Sequence, residues 1–191
     1  NTPPRILDVG IGTGVLSEKC LSARADSKIT GIDVSAKMLE ICAAKNIAED
    51  LCRVDVSADW FPFEENSFDV VMAAGVMENV GDVGHAISEM ARVLRPGGHI
   101  LFTYPPTVRG AERESRPMSF RPGRTDDGKF VMGRLTLYRH NADKIAVHAA
   151  AAGLQFTGRE RFVGYRTYVV IKVPYDLFTA RKFDPKQAPN V

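Results

Sequence analysis

Cysteine is scarce in this chain: Cys20, Cys42 and Cys52 are the only three among 191 residues. An odd number without C-x-x-C spacing excludes a disulfide framework and gives no reason to expect a metal site; the thiols read as reduced packing residues. No apolar run approaches the roughly 20 residues of a membrane span, and no charged-then-apolar leader opens the sequence. There is no internal repeat or low-complexity tract. Neither sign of charge dominates, with 25 basic and 23 acidic residues. No aromatic-interleaved basic face stands out, Phe120 among the arginines being thin evidence, so no nucleic-acid partner is expected. What remains is a protein expected to be soluble and cytoplasmic, 45% hydrophobic and long enough for one well-buried domain. The first residue is Asn1 and the first strand starts almost at once, so the chain reads as trimmed or as part of a longer product.

What is present in abundance is glycine at one place. Ile6-Leu7-Asp8-Val9-Gly10-Ile11-Gly12-Thr13-Gly14 sets a glycine-rich turn between a buried strand and a helix, where backbone can approach a ligand and helix-opening N–H groups point at it. Asp33, in Gly31-Ile32-Asp33, falls where the next parallel strand ends, and a carboxylate there can accept bonds from both ribose hydroxyls. A nucleoside-containing cofactor is predicted. A G-x-G-x-x-G dinucleotide pattern would suit NAD, but the chain reads G-I-G-T-G.

Short apolar runs alternate with helical patterns, the mark of βαβ units and an α/β fold. Strands are predicted at Arg5–Val9, Lys28–Asp33, about Leu51–Asp55, Phe68–Ala73 and His99–Tyr104. A final hairpin is expected from about Leu154–Phe162 and Tyr165–Val173; Gly164-Tyr165 is too short for a parallel crossover, so one of its strands must run antiparallel. Helix faces are expected inward at Leu16, Cys20 and Ala23, at Met38, Ile41 and Cys42, at Val83, Ile87, Met90 and Leu94, and at Ile145, Ala149 and Ala152. Ser35 and Asn141 are expected caps. Residues 1–181 read as one domain, with an Arg-rich insert at about 105–140 and a disordered tail at 182–191. The insert carries eight basic residues against four acids.

Asp8, one position, then Gly10-x-Gly12-x-Gly14 resembles the first motif of class I S-adenosylmethionine (SAM) dependent methyltransferases. Phe68-Asp69-Val70-Val71, Val76 to Asp82 and Glu89 to Gly98 are similar to the small-molecule branch that includes ubiquinone-type (type 11) enzymes. The resemblance implies a Rossmann-like doubly wound sheet of seven strands, mostly parallel, with the last inserted antiparallel beside the fifth. It implies SAM as cofactor and S-adenosylhomocysteine as product. Asp8, Gly10, Ile11 and Gly12 then belong to the cofactor set, Gly10 and Gly12 lining the methionine moiety. Asp33 holds the ribose, Val34 and Met38 pack near the adenine, Asp55 accepts from the adenine amino group, the Val56 N–H donates to the ring, and the Ala74 backbone faces the methionine end.

Relatives that methylate amino groups of DNA or protein carry Asn/Asp-Pro-Pro-aromatic after strand four, where this chain has Ala73-Ala74-Gly75-Val76. Tyr104-Pro105-Pro106 follows strand five instead, and no cysteine follows a proline as in cytosine-C5 enzymes. A small-molecule acceptor is therefore expected, under a lid made by the Arg-rich insert, with Tyr104, Arg134 and Arg139 near the methyl and an anionic group on the acceptor as one option. His140 is the candidate base. If the chain is complete, a homodimer is expected to close the site that N-terminal helices cover in relatives. Two alternatives stay open: a catalytically silent SAM-binding module, and an NAD-dependent oxidoreductase, which the glycine spacing and Asp55 argue against.

Overall fold

A computed structural model gives the fold; it describes residues 2–107, 115–119, 123–124, 130–131, 134–166 and 172–187, with side chains for 2–107, 138–163 and 174–186. The first half of the chain builds the parallel sheet from β1 (Arg5–Val9), β2 (Lys28–Asp33), β3 (Asp50–Arg53), β4 (Phe68–Ala73) and β5 (Leu94–Tyr104). Between them run α1 (Val15–Ala23), α2 (Ala36–Ala43) and α3 (Val83–Val93). Backbone alone is described for β6 (Ser115–Ser119), β7 (Gly123–Arg124), β8 (Phe130–Val131) and most of β9 (Arg134–Tyr138), which pair as β6 with β9 and β7 with β8. Then come α4 (Ala142–Ala151), β10 (Leu154–Arg166) and β11 (Lys172–Lys182).

The seven-stranded sheet has the order β10-β11-β5-β4-β1-β2-β3. β1 pairs in parallel with both β2 and β4, so the chain walks outward to β3 and returns on the other side of β1. Strand order reverses between β1 and β4, and their carboxyl ends flank a crevice. β11 runs antiparallel to β5 and to β10, opposing Asp176 to Tyr104 and to Arg161. A mostly parallel α/β sheet with an inserted antiparallel strand is what the sequence led us to expect.

Burial on both faces explains why the central strands read as continuous apolar runs. Leu7, Val9, Val71, Ala73, Ile100, Phe102 and Phe178 belong to one apolar layer, with Ile87 and Met90 of α3 and Ile145 and Ala149 of α4. Ile6, Ile29 and Met72 form the other with Leu16 and Cys20 of α1 and Leu39 and Cys42 of α2. Ser35 caps α2 through the Met38 N–H, and Asn141 caps α4 through the Asp143 N–H at 2.7 Å.

Several boundaries and faces differ from the sequence reading. β3 stops at Arg53, leaving Asp55 in a turn where its carboxylate takes the Ser57 N–H. β5 starts at Leu94, because Leu94 already pairs with Phe68. Ala23 is exposed, and α2 turns Leu39 and Cys42 inward while Met38 and Ile41 stay open. The first strand of the hairpin continues to Arg166 and the second begins at Lys172; Gly164 sits at a bulge between Val163 and Tyr165 within β10. A glycine inside a strand marks such a bulge as readily as a turn. Order also extends past 181: the Phe183 N–H donates to the Gly153 carbonyl, and 185–187 form a turn of 3-10 helix. Among the described residues no helix is long and apolar enough to cross a membrane.

Candidate cofactor site

The crevice is built on three left-handed glycines, Gly10, Gly12 and Gly14, at φ of 69, 55 and 81°. An L-residue pays roughly 1–2 kcal/mol for such a conformation. Gly10 is restricted twice, since a Cβ there would lie 2.1 Å from Val76 Cγ2. The loop is tied to the end of β2 by three bonds, and a fourth orients Asp33 from the start of α2. Gly10 and Ile11 N–H groups donate to the Ile32 carbonyl at 2.7 and 3.0 Å. The Gly12 N–H donates to Asp33 Oδ2 at 2.9 Å, and Oδ1 takes the Ser35 N–H at 2.8 Å.

Asp8 ends β1 beneath this loop, 2% exposed, and accepts the Ser17 hydroxyl at 2.7 Å. Burial pushes its carboxyl from 3.8 up to about 6; the Ser17 hydrogen bond pulls the other way, and the negative charge of Asp33 adds to the rise. Asp8, Gly10, Ile11, Gly12, Lys19 and Ala74 line one hollow of about 380 Å³. Ile11 is itself buried, its methyl filling the space above Gly31. Val34 and Met38 are left 55% and 41% exposed just beyond Asp33. β3 ends beside them, the Val54 N–H donating to the Asp33 carbonyl and Arg53 Nε to the Val34 carbonyl. Val56 is buried in the core, while Asp55 stays at the surface of the same edge.

Two of the expected acceptor-side residues, Tyr104 and His140, line other hollows. Tyr104 is fully buried and lines a second hollow of about 480 Å³ with Phe156, Arg159 and Phe178. His140 lines a third of about 130 Å³ with Tyr138, Lys144 and His148. Its ring is buried, and Nε2 donates to the Met77 carbonyl at 2.7 Å, an interaction that fixes the tautomer and pins the start of α4 to the turn after β4. Arg139 Nη1 donates to the Pro106 carbonyl at 3.2 Å. The Arg134 side chain lies outside the described residues.

Two groups at the carboxyl edge have no role that the motifs assign. Glu78, in the 3-10 turn 77–79, accepts the Tyr175 hydroxyl at 2.8 Å, joining β4's end to β11 across 97 positions. Ser17 is the other. Its neighbours in sequence mark a helix, and nothing short-range ties it to Asp8.

Residues 7–102 match the family described as "Methyltransferase domain". The chain belongs to that family. Among relatives of this methyltransferase-domain chain, a demethylmenaquinone methyltransferase of Thermus thermophilus is 30% identical over 156 residues, covering 80% of this chain and 71% of that one. A ubiquinone biosynthesis O-methyltransferase of Aromatoleum aromaticum is 36% identical over 103 residues, covering 52% and 43%. The chain spans about two fifths of the length of several curated relatives it matches, 42% and 41% for two of them. A solved SAM-dependent methyltransferase of Methanosarcina mazei superposes with a TM-score of 0.74 at 16% identity, covering 96% of this chain and 94% of that one, a likeness of fold.

Proposed function

We propose that this methyltransferase-domain chain binds SAM in the β1–β4 crevice and transfers its methyl group to a small-molecule acceptor. The observation that carries the reading is the placement of Asp33. Each of its oxygens is fixed by one backbone N–H, of Gly12 and of Ser35, which leaves lone pairs on both for the two ribose hydroxyls. Asp8 and Lys19 line the adjoining hollow with opposite charges, matching the ammonium and carboxylate of an amino-acid moiety. Gly10 and Gly12 keep that hollow free of side chains. Val34 and Met38 offer apolar surface to a purine, with Asp55 and the Val56 N–H at its edge, and the Ala74 backbone borders the methionine end.

When bound, SAM supplies a methyl already activated on a sulfonium. The chain's own part is to orient, through Asp33 and the glycine loop, and to exclude water, so that proximity and desolvation lower the barrier. The names of the relatives, which include a demethylmenaquinone methyltransferase and a ubiquinone biosynthesis O-methyltransferase, support a small-molecule acceptor.

Titration calorimetry tests the cofactor reading. S-Adenosylhomocysteine is expected to bind and NAD not to bind. Asp33→Asn should weaken S-adenosylhomocysteine at least tenfold, because a hydrogen bond to a charged group contributes about 1.5–3 kcal/mol. Binding of NAD without S-adenosylhomocysteine would overturn the reading.

A further inference from the structure

We propose that Glu78, oriented by Tyr175, is the recognition group for the acceptor, and that it takes a molecule presenting a hydroxyl on a largely apolar body. The proposal deepens the methyl-transfer reading and rests on it. Glu78 Oε1 accepts the Tyr175 hydroxyl at 2.8 Å, whereas Oε2 is out of reach of solvent and has no hydrogen-bond partner among the described residues. A buried acceptor without a partner is uncommon, because leaving one unpaired costs about 1–3 kcal/mol. A ligand hydroxyl would supply the missing donor.

The position suits a methyl acceptor. Glu78 lies four residues beyond Ala74, which borders the hollow of the glycine loop. Its Oε1 is 3.9 Å from where a Cβ of Gly75 would stand, and the Gly75 N–H is held by Thr103 Oγ1 at 3.0 Å. Between the two sites stands Val76, packed on Gly10. The surroundings are apolar: Met77 and Val80 flank the turn and are buried, and Tyr175 packs near Phe162 with ring centroids 6.1 Å apart. Burial pushes the Glu78 carboxyl above its usual range, partly offset by its own backbone N–H and by the Tyr175 hydroxyl, which is the ionisable group hydrogen-bonded to it.

A site built to hydrogen-bond a hydroxyl rejects the analogue that lacks it far more strongly than an apolar pocket can. The test uses the whole chain saturated with S-adenosylhomocysteine and two probes, catechol and 1,2-dimethoxybenzene, followed by ligand-observed NMR. The wild type is expected to favour catechol at least tenfold. Glu78→Gln should remove most of that preference while leaving affinity for S-adenosylhomocysteine within twofold, and Tyr175→Phe should reduce it to an intermediate value. Catechol binding should also strengthen as pH rises through a value above the ordinary carboxylate range, because the ionised carboxyl is the better acceptor, a dependence absent from Glu78→Gln. Equal preference in wild type and Glu78→Gln, no binding of catechol to the loaded wild type, or a parallel loss of S-adenosylhomocysteine affinity would each overturn the assignment. Failure of the wild type to bind S-adenosylhomocysteine at all would instead defeat the methyl-transfer reading.

Discussion

Burial of the Asp8 carboxyl links the stability of the fold to pH. The raised value of about 6 means that the folded chain keeps a proton between about pH 4 and 6 which the unfolded chain has released. Stability therefore falls as pH rises through that window, by about 3 kcal/mol in all if Asp8 acted alone. Under the proposed function, the ionised form is the one that would take the ammonium of the cofactor. Urea midpoints and S-adenosylhomocysteine affinity at pH 5 and pH 8 should move in opposite directions, with the ligand bound more tightly at pH 8. Asp8→Asn should flatten both dependences; unchanged slopes in that variant would remove Asp8 from this part.

At the scale of elements, α3 separates what sequence makes legible from what it hides. Val83, Ile87 and Met90 are all buried, as their helical spacing indicates, whereas Leu94, expected on the same face, is buried as the first residue of β5. Glu89 is equally buried, and nothing in that period says so. Its carboxylate takes the Phe61 N–H and two bonds from Arg92, and Arg92 reaches the Phe61 and Phe63 carbonyls, locking the loop before β4 onto the helix. Burial alone would raise the Glu89 carboxyl; the Arg92 hydrogen bonds and the Phe61 N–H outweigh it and hold it below its usual range. Removing one partner of a buried pair costs about 3–5 kcal/mol. Glu89→Ala should lose about 3 kcal/mol in urea unfolding and Glu89→Gln less, since the amide oxygen still accepts. The same logic explains the strands. β1, β2 and β4 have the bounds their apolar runs indicate, because Gly, Asp or Ala closes each run at the crevice. β11 does not, because apolar content on either side of Gly164 cannot distinguish a bulge from a turn. Asp33 and the glycine loop were legible through fixed spacing, whereas Glu78 and Tyr175 meet only through the insertion of β11 beside β5.

For the whole molecule, Lys182 closes the structure. Its ammonium donates to Asn66 Oδ1 and to the Ala91 and Leu94 carbonyls at 2.9, 2.8 and 2.7 Å, so the last residue of β11 is fastened to the end of α3. A cation is favoured at a helix carboxyl end, and burial pushes this one below the usual lysine range. Lys182→Met should cost about 3 kcal/mol in thermal or urea unfolding, from several acceptors left unpaired. Deleting 182–191 should cost at least as much; a deletion without effect would show that the fastening is incidental. Gly10 and Val76 contend for a single parcel of volume between the two halves of the crevice. Position 10 can gain bulk only where position 76 gives it up. Variation at these two sites is therefore expected to be inherited as a pair, which makes a change of acceptor achieved through residue 76 also a change in the tolerance of the cofactor loop.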